Sequence, residues 1–237
     1  MSGHSKWSTI HRAKEVKDQA RGKLFSKVAR IITIAAKTGG GPNPEANFRL
    51  KDAIEKARAI SMPKENIERA INKAAESGDL FEATYEGFGP AGVAIIIEAA
   101  TDNKNRTIAE FKTLFEKRGG TLGGSGSVAY NFDHKGLIVL QKKADVDSQM
   151  LELIDEGAAD IEDTGQVLHV YVEPSQTSQV KQRIIASGQT VLSSELIMKP
   201  KTFVEIEDEE MAQKIVDLLD ALEEHDDVQK VFDNAKL

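Results

Sequence analysis

The chain has 237 residues, 40% hydrophobic and 29% charged, a balance that excludes wholesale disorder. It contains no cysteine, which excludes disulfides, thiolate metal sites and a cysteine nucleophile. The net charge of −7 divides unevenly: residues 1–78 carry 16 Lys and Arg against 8 Asp and Glu, whereas residues 79–237 carry 15 against 30. A basic head on an acidic body points to a polyanion bound at one end, although solvated lysine-rich helix faces give the same count. The longest strictly apolar run, Val93-Ala94-Ile95-Ile96-Ile97, is far short of the roughly 18 residues of a membrane span. A soluble protein of a reducing compartment is expected. Met1–Lys14, with three serines, three basic residues and no acid, has the composition of a mitochondrial transit peptide.

From Leu24 to Lys37 the period is helical. Leu24, Val28, Ile31, Ile32 and Ala35 fall on one side. Lys23, Lys27, Arg30 and Lys37 share an arc of about 80° on the other, so they are expected to be solvated and to contribute little to the core. Gly39–Pro42 ends this helix. Asn43 is read as the cap of a second helix with Pro44 at its first position and Leu50, Ile54 and Ala57 on its apolar face. Pro63 opens a third, with Ile67, Ala70, Ile71 and Ala74 inward and Gly78 as its stop.

The pattern then changes to strands and helices. Val93–Ala100 reads as a buried strand, Thr107–Lys117 as an amphipathic helix stopped by Gly119-Gly120, and Val128–Phe132 as a strand. Next come a strand at Leu137–Leu140, a helix over 145–156, strands at Ala159–Glu162 and Val167–Val172, a helix over 176–187 and a strand at Val191–Met198. Thr202–Ile206 (strand), Glu209–Leu222 (helix) and Val228–Phe232 (strand) close the chain. Residues 137–198 give β-α-β-β-α-β, the order of a ferredoxin-like unit, and the two flanking β-α-β pieces together give a second. The predicted fold is α+β: an N-terminal three-helix basic domain (1–78) and two ferredoxin-like domains, one of 79–135 with 200–237, the other of 136–199 inserted within it.

Catalysis has no visible apparatus. Gly39–Pro44 lacks the Lys-Ser/Thr of a phosphate loop, and Gly119–Gly126 runs from helix to strand with the wrong glycine spacing for a dinucleotide site, so both read as turns. His4, His11, His134, His169 and His225 show no i, i+4 pair and no H-E-x-x-H. No metal, cofactor or small-molecule substrate is expected, and the protein is read as no enzyme.

Two segments are candidates for binding. His4, Lys6, Trp7, His11, Arg12, Lys14, Lys17, Arg21 and Lys23 interleave cations with one indole, as phosphates and an unpaired base would require. Alternatively, Trp7 pins the tail to the body. Thr101–Thr107 (TDNKNRT) sits between a strand and a helix N-terminus, where free N–H groups with Lys104 and Arg106 suit an anion; Asn103 and Asp102 serve equally as caps.

Gly3–Trp7 (GHSKW), Arg21–Lys27 (RGKLFSK), Gly39–Leu50 (GGGPNPEANFRL) and Met62–Ile71 (MPKENIERAI) resemble the YebC family, which includes the mitochondrial translational activator of cytochrome c oxidase. So do Tyr85–Ala94 (YEGFGPAGVA), Thr101–Thr107, Gly119–Phe132 (GGTLGGSGSVAYNF) and Asp220–Ala235 (DALEEHDDVQKVFDNA). The family's tight His-Arg-Lys cluster is interrupted here by Glu15 and Asp18 (HRAKEVKDQ), which leaves individual contacts within 11–19 open. The family pattern begins at Gly3, so the N-terminus is expected to be retained.

The resemblance implies a three-domain, cytoplasmic, non-enzymatic regulator of gene expression, described either as a DNA-binding transcriptional regulator or as a ribosome-associated factor that assists synthesis through proline-rich stretches. Helix 64–76 mixes Glu65, Glu68 and Glu76 with Arg69, Asn72 and Lys73 on its exposed side, a poor major-groove reader. Lys23, Lys27, Arg30 and Lys37 suit backbone contact, and a basic tail with a tryptophan suits structured RNA. Ribosomal RNA is therefore the favoured partner, DNA the alternative, and a protein-binding adaptor the third reading.

Overall fold

A computed structural model describes residues 18–38, 40–76 and 80–237; side chains 18–21, 23, 75 and 76 are not among those described. The chain divides into two compact units, one of residues 130–203 with 234–236, the other including 18–129 and 204–233.

In the larger unit, α1 (Asp18–Thr38), α2 (Phe48–Ala59) and α3 (Lys64–Glu76) pack around Val28, Ile32, Ala35, Leu50, Ala53, Ala57, Met62, Ile67 and Ala70. Fully burying a side chain such as Ile32 or Leu50 stabilises by roughly 1.5–3 kcal/mol. The single apolar stripe predicted for α1 is corrected. Residues 32–36 are buried all round, because α1 packs against α2 and α3 and also against the strands described next. The start of α2 moves as well. Asn43 shapes a turn, accepting from the Glu45 N–H at 3.1 Å, and Asn47 caps the helix by accepting from the Leu50 N–H at 3.0 Å. Buried Asn47 also donates to the Ala35 and Gly41 carbonyls at 2.7 and 2.8 Å, which ties α2 to the end of α1.

The α+β part of this unit contains β1 (Phe81–Phe88), β2 (Ala94–Thr101), α4 (Lys104–Lys117) and β3 (Thr121–Leu122). After the other unit's residues come β8 (Val204–Glu205), α7 (Glu209–Glu224) and β9 (Val228–Asp233). The antiparallel sheet runs β3-β1-β2-β9. Three strand assignments are corrected. The strand β1 was absent from the prediction: Phe81, Ala83 and Tyr85 alternate with Glu82, Thr84 and Glu86, but Gly87 and the carboxylates dilute the signal. Residues 129–131 form a 3-10 turn where a strand over Val128–Phe132 was predicted, and Val204–Glu205 lies outside this sheet.

The smaller unit follows β4 (Phe132–Gln141), α5 (Val146–Asp155), β5 (Asp160–Asp163), β6 (Val167–Val172), α6 (Thr177–Ala186) and β7 (Val191–Pro200). Its antiparallel sheet has the order β5-β6-β4-β7, as a ferredoxin-like unit requires. Period-2 positions Ile138, Leu140, Leu168, Val170 and Val172 meet Leu153 of α5 and Val180 and Ile184 of α6 in one core. The α+β class and the helical head are as predicted. Among the described residues no helix is long and apolar enough to cross a membrane.

Candidate nucleic-acid interface

Asp227, in the turn before β9, organises the cations of the larger unit. Its carboxylate is 2% exposed and accepts from Arg30 through Oδ1. Arg106 Nη2 and the Thr107 hydroxyl approach Oδ2 at 3.0 and 2.8 Å. A carboxylate only accepts, so Thr107 donates to it, and Thr101, 2.8 Å from the Thr107 oxygen, donates to Thr107 in turn. Arg30 also reaches the Ala100 carbonyl at 3.1 Å, and Arg106 reaches Asp102 at 2.9 Å. Burial alone would raise the Asp227 carboxyl. The hydrogen bonds from Arg30, Thr107 and Arg106, with the Arg30 charge, outweigh it and hold the group at about 2. Hydrogen bonding to Asp227 likewise raises the Arg106 guanidinium.

The solvated basic face predicted on α1 is thereby corrected. Arg30 is tied to Asp227, half-buried Lys27 donates to the Glu223 carbonyl at the end of α7, and Lys37 is half-buried in the last turn. Helical angle alone placed them opposite the apolar stripe; what it could not show is that α7 and the turn before β9 close over that side.

At Thr101–Thr107 Asn103 caps α4, accepting from the Arg106 N–H at 3.1 Å, and the helix begins at Lys104, earlier than predicted. Arg106 is engaged with Asp227 and Asp102. Lys104 is exposed, 5.0 Å from the Phe81 ring centroid. His4, Lys6, Trp7, His11, Arg12, Lys14 and Lys17 lie outside the described residues, as do the side chains of Arg21 and Lys23.

The glycine-rich segment after α4 surrounds an anion supplied by the chain itself. Glu86 of β1 is buried, and it accepts from Gly126 N at 2.7 Å, Val128 N at 2.8 Å and Ala129 N at 2.9 Å. Burial opposes the charge, but these three bonds win and lower its carboxyl. They also explain the lost strand: the N–H groups of Val128 and Ala129 are spent on Glu86. A second cluster, Glu110, His225 and Asp227, gathers its ligand-type atoms within 4.8 Å. Those atoms are already engaged. The Asp227 carboxylate accepts from Arg30, Arg106 and Thr107. His225 Nδ1 accepts from the Asp227 backbone N–H at 3.1 Å, so Nε2 carries the proton and donates to Glu110 at 2.9 Å.

Sequence reasoning set the exposed side of α3 aside as a poor major-groove reader and did not single out the part of it that lines a groove. Asn66, Arg69, Ala70 and Lys73 meet Phe25, Ser26, Ala29, Arg30 and Thr33 of α1 around about 610 Å³, with Leu80 and Asp102 completing the wall. The i, i+3, i+7 spacing of Asn66, Arg69 and Lys73 was the available signal.

This α+β chain with its basic helices has counterparts among known proteins. Residues 5–77 match the TACO1/YebC protein N-terminal domain, and residues 80–235 the TACO1/YebC second and third domain. A "probable transcriptional regulatory protein" of Chloroflexus aggregans is 48% identical over 240 residues, covering 99% of this chain and 95% of that protein. One from Roseiflexus castenholzii is 46% identical over 245 residues, covering 100% and 96%. The crystal structure of the conserved hypothetical protein Aq1575 from Aquifex aeolicus superimposes with a TM-score of 0.83 at 45% identity, covering 94% of this chain and 93% of that one. The chain belongs to the TACO1/YebC family.

Proposed function

We propose that this protein is a non-catalytic, nucleic-acid-binding regulator of gene expression, acting in the cytoplasm on the ribosome. It binds ribosomal RNA and helps elongation through proline-rich stretches where peptide-bond formation stalls. The observation that carries this reading is the division of charge: 16 basic against 8 acidic residues in 1–78, and 15 against 30 in the remainder. A positive end draws in phosphates, while an acidic body repels RNA and limits contact to that end. The name "probable transcriptional regulatory protein" of its relatives favours a second reading, in which the polyanion is promoter DNA.

Crosslinking in living cells, with sequencing of all bound RNA and DNA, tests the two, alongside ribosome profiling of cells lacking the protein. Crosslinks to ribosomal RNA and new pauses at consecutive proline codons are expected. Crosslinks to a few promoters with unchanged elongation would establish the DNA reading instead.

A further inference from the structure

We propose that the groove between α1 and α3 seats an unpaired nucleic-acid strand, with its phosphates on Arg69 and Lys73. The proposal rests on the nucleic-acid reading above and names the residues that would serve it. Four charged groups border the groove, and two are already spent. Arg30 is bound to Asp227 and the Ala100 carbonyl, and the Asp102 carboxylate holds Arg106. The charge that remains is Arg69 and Lys73, both exposed and without an acidic partner among the described residues.

These two cations stand at i, i+4 on α3, an arrangement that mildly disfavours an isolated helix. Their Cβ atoms are about 5–6 Å apart, a spacing that reaches neighbouring phosphates of one strand. Of the described carboxylates of α3, Glu68 faces Lys64 at 3.5 Å and Glu65 does not line the groove. Phe25, Ala29, Ala70 and Leu80 provide apolar surface for a base, and Asn66 offers an amide to its edge. A bare inorganic anion would leave that surface unused. A volume of about 610 Å³ falls in the ligand-sized range. Arg69 and Lys73 line a concavity shared with α1, and a base enters it from a strand that is not stacked in a duplex.

The test uses the full chain and a fluorescent oligouridylate of about twelve nucleotides, its deoxy counterpart and a duplex of equal length, with anisotropy read over a salt series. Arg69→Gln with Lys73→Gln should weaken single-strand binding tenfold or more and flatten the logarithmic salt slope by about 1.4, two contacts of about 0.7 each. Lys112→Gln with Lys214→Gln, exposed on α4 and α7, should leave both unchanged. Thermal unfolding should be the same for both pairs. Tighter binding of the ribose strand would identify RNA as the source of the phosphates, and tighter binding of the deoxy strand would identify DNA. Wild-type binding with an unaltered slope in the Arg69/Lys73 pair overturns the groove while leaving the nucleic-acid reading intact. Equal competition by polyglutamate, or tighter binding of the duplex, also overturns it. Failure of the wild type to bind any oligonucleotide, together with absent crosslinks in cells, overturns the nucleic-acid reading itself.

Discussion

Arg30 of α1 donates to Asp227, 197 positions later in the chain, and so fastens the basic helices to the turn that feeds β9. The Asp227 side chain is 2% exposed and the Arg30 side chain 33% exposed, so the pair is screened from water mainly on the acid's side. Removing one partner of a buried pair costs about 3–5 kcal/mol when nothing replaces it. Arg106 and Thr107 remain on Asp227, so Arg30→Ala should cost less, about 2–3 kcal/mol, measured by urea unfolding. Lys112→Ala, which breaks an exposed pair with Glu116, should stay within about 0.5 kcal/mol.

Asp227 also makes stability depend on acid. Its folded pKa of about 2 lies below the ordinary carboxylate value, so the unfolded chain binds the proton more readily. The stabilisation is therefore complete above about pH 4 and is lost as the pH falls through about 2. It amounts to roughly 2 kcal/mol. Lowered Glu86 adds to the loss in the same direction. Urea midpoints from about pH 7 down to about pH 2 should fall less steeply in Asp227→Asn than in the wild type.

Glu86→Gln should loosen the glycine-rich loop without unfolding the sheet. An amide has one acceptor oxygen, so it cannot serve Gly126 on one side and Val128 and Ala129 on the other. Leaving a buried donor unpaired costs about 1–3 kcal/mol. Hydrogen exchange at these three amides should quicken by about tenfold or more, with little change in β2. Unchanged exchange would show that the carboxylate does not hold the loop.

Gly136→Ala should destabilise the smaller unit selectively. A methyl there would lie 2.0 Å from Thr177 Oγ1 and 2.8 Å from Val172 Cγ2, between β4 and the start of α6. Overpacking of this kind costs about 1–3 kcal/mol. Exchange protection should drop in β4, β6 and β7 and persist in β1 and β2. Gly124→Ala, where no atom lies within 4 Å, should be silent.

Much of the architecture was legible in local pattern. Apolar period marked α1, α3, α4 and α7, and the alternation of β4, β6 and β7 with α5 and α6 announced the ferredoxin-like order of the smaller unit. Eight short motifs were enough to place the chain beside the YebC family. These features depend on neighbours a few residues apart, and a sequence displays such neighbours directly. The sheet of the larger unit was harder to read. The alternation of β1 was diluted by Glu86 and Gly87, one chosen to bind backbone N–H groups and the other to admit Phe115, whose ring would lie 2.7 Å from a methyl at that position. The apparent strand over 128–132 was lost because its N–H groups found a carboxylate and not a neighbouring strand. The roles of the cations could be decided only in three dimensions. Lys27, Arg30 and Arg106 are chemically as suited to phosphate as Arg69 and Lys73. The first three meet a carbonyl or a carboxylate brought from far along the chain; among the described residues the last two do not. Local sequence assigned the charges to helices, and tertiary contacts determined which of them were engaged, since an electrostatic contact depends on distance in space and not on separation along the chain.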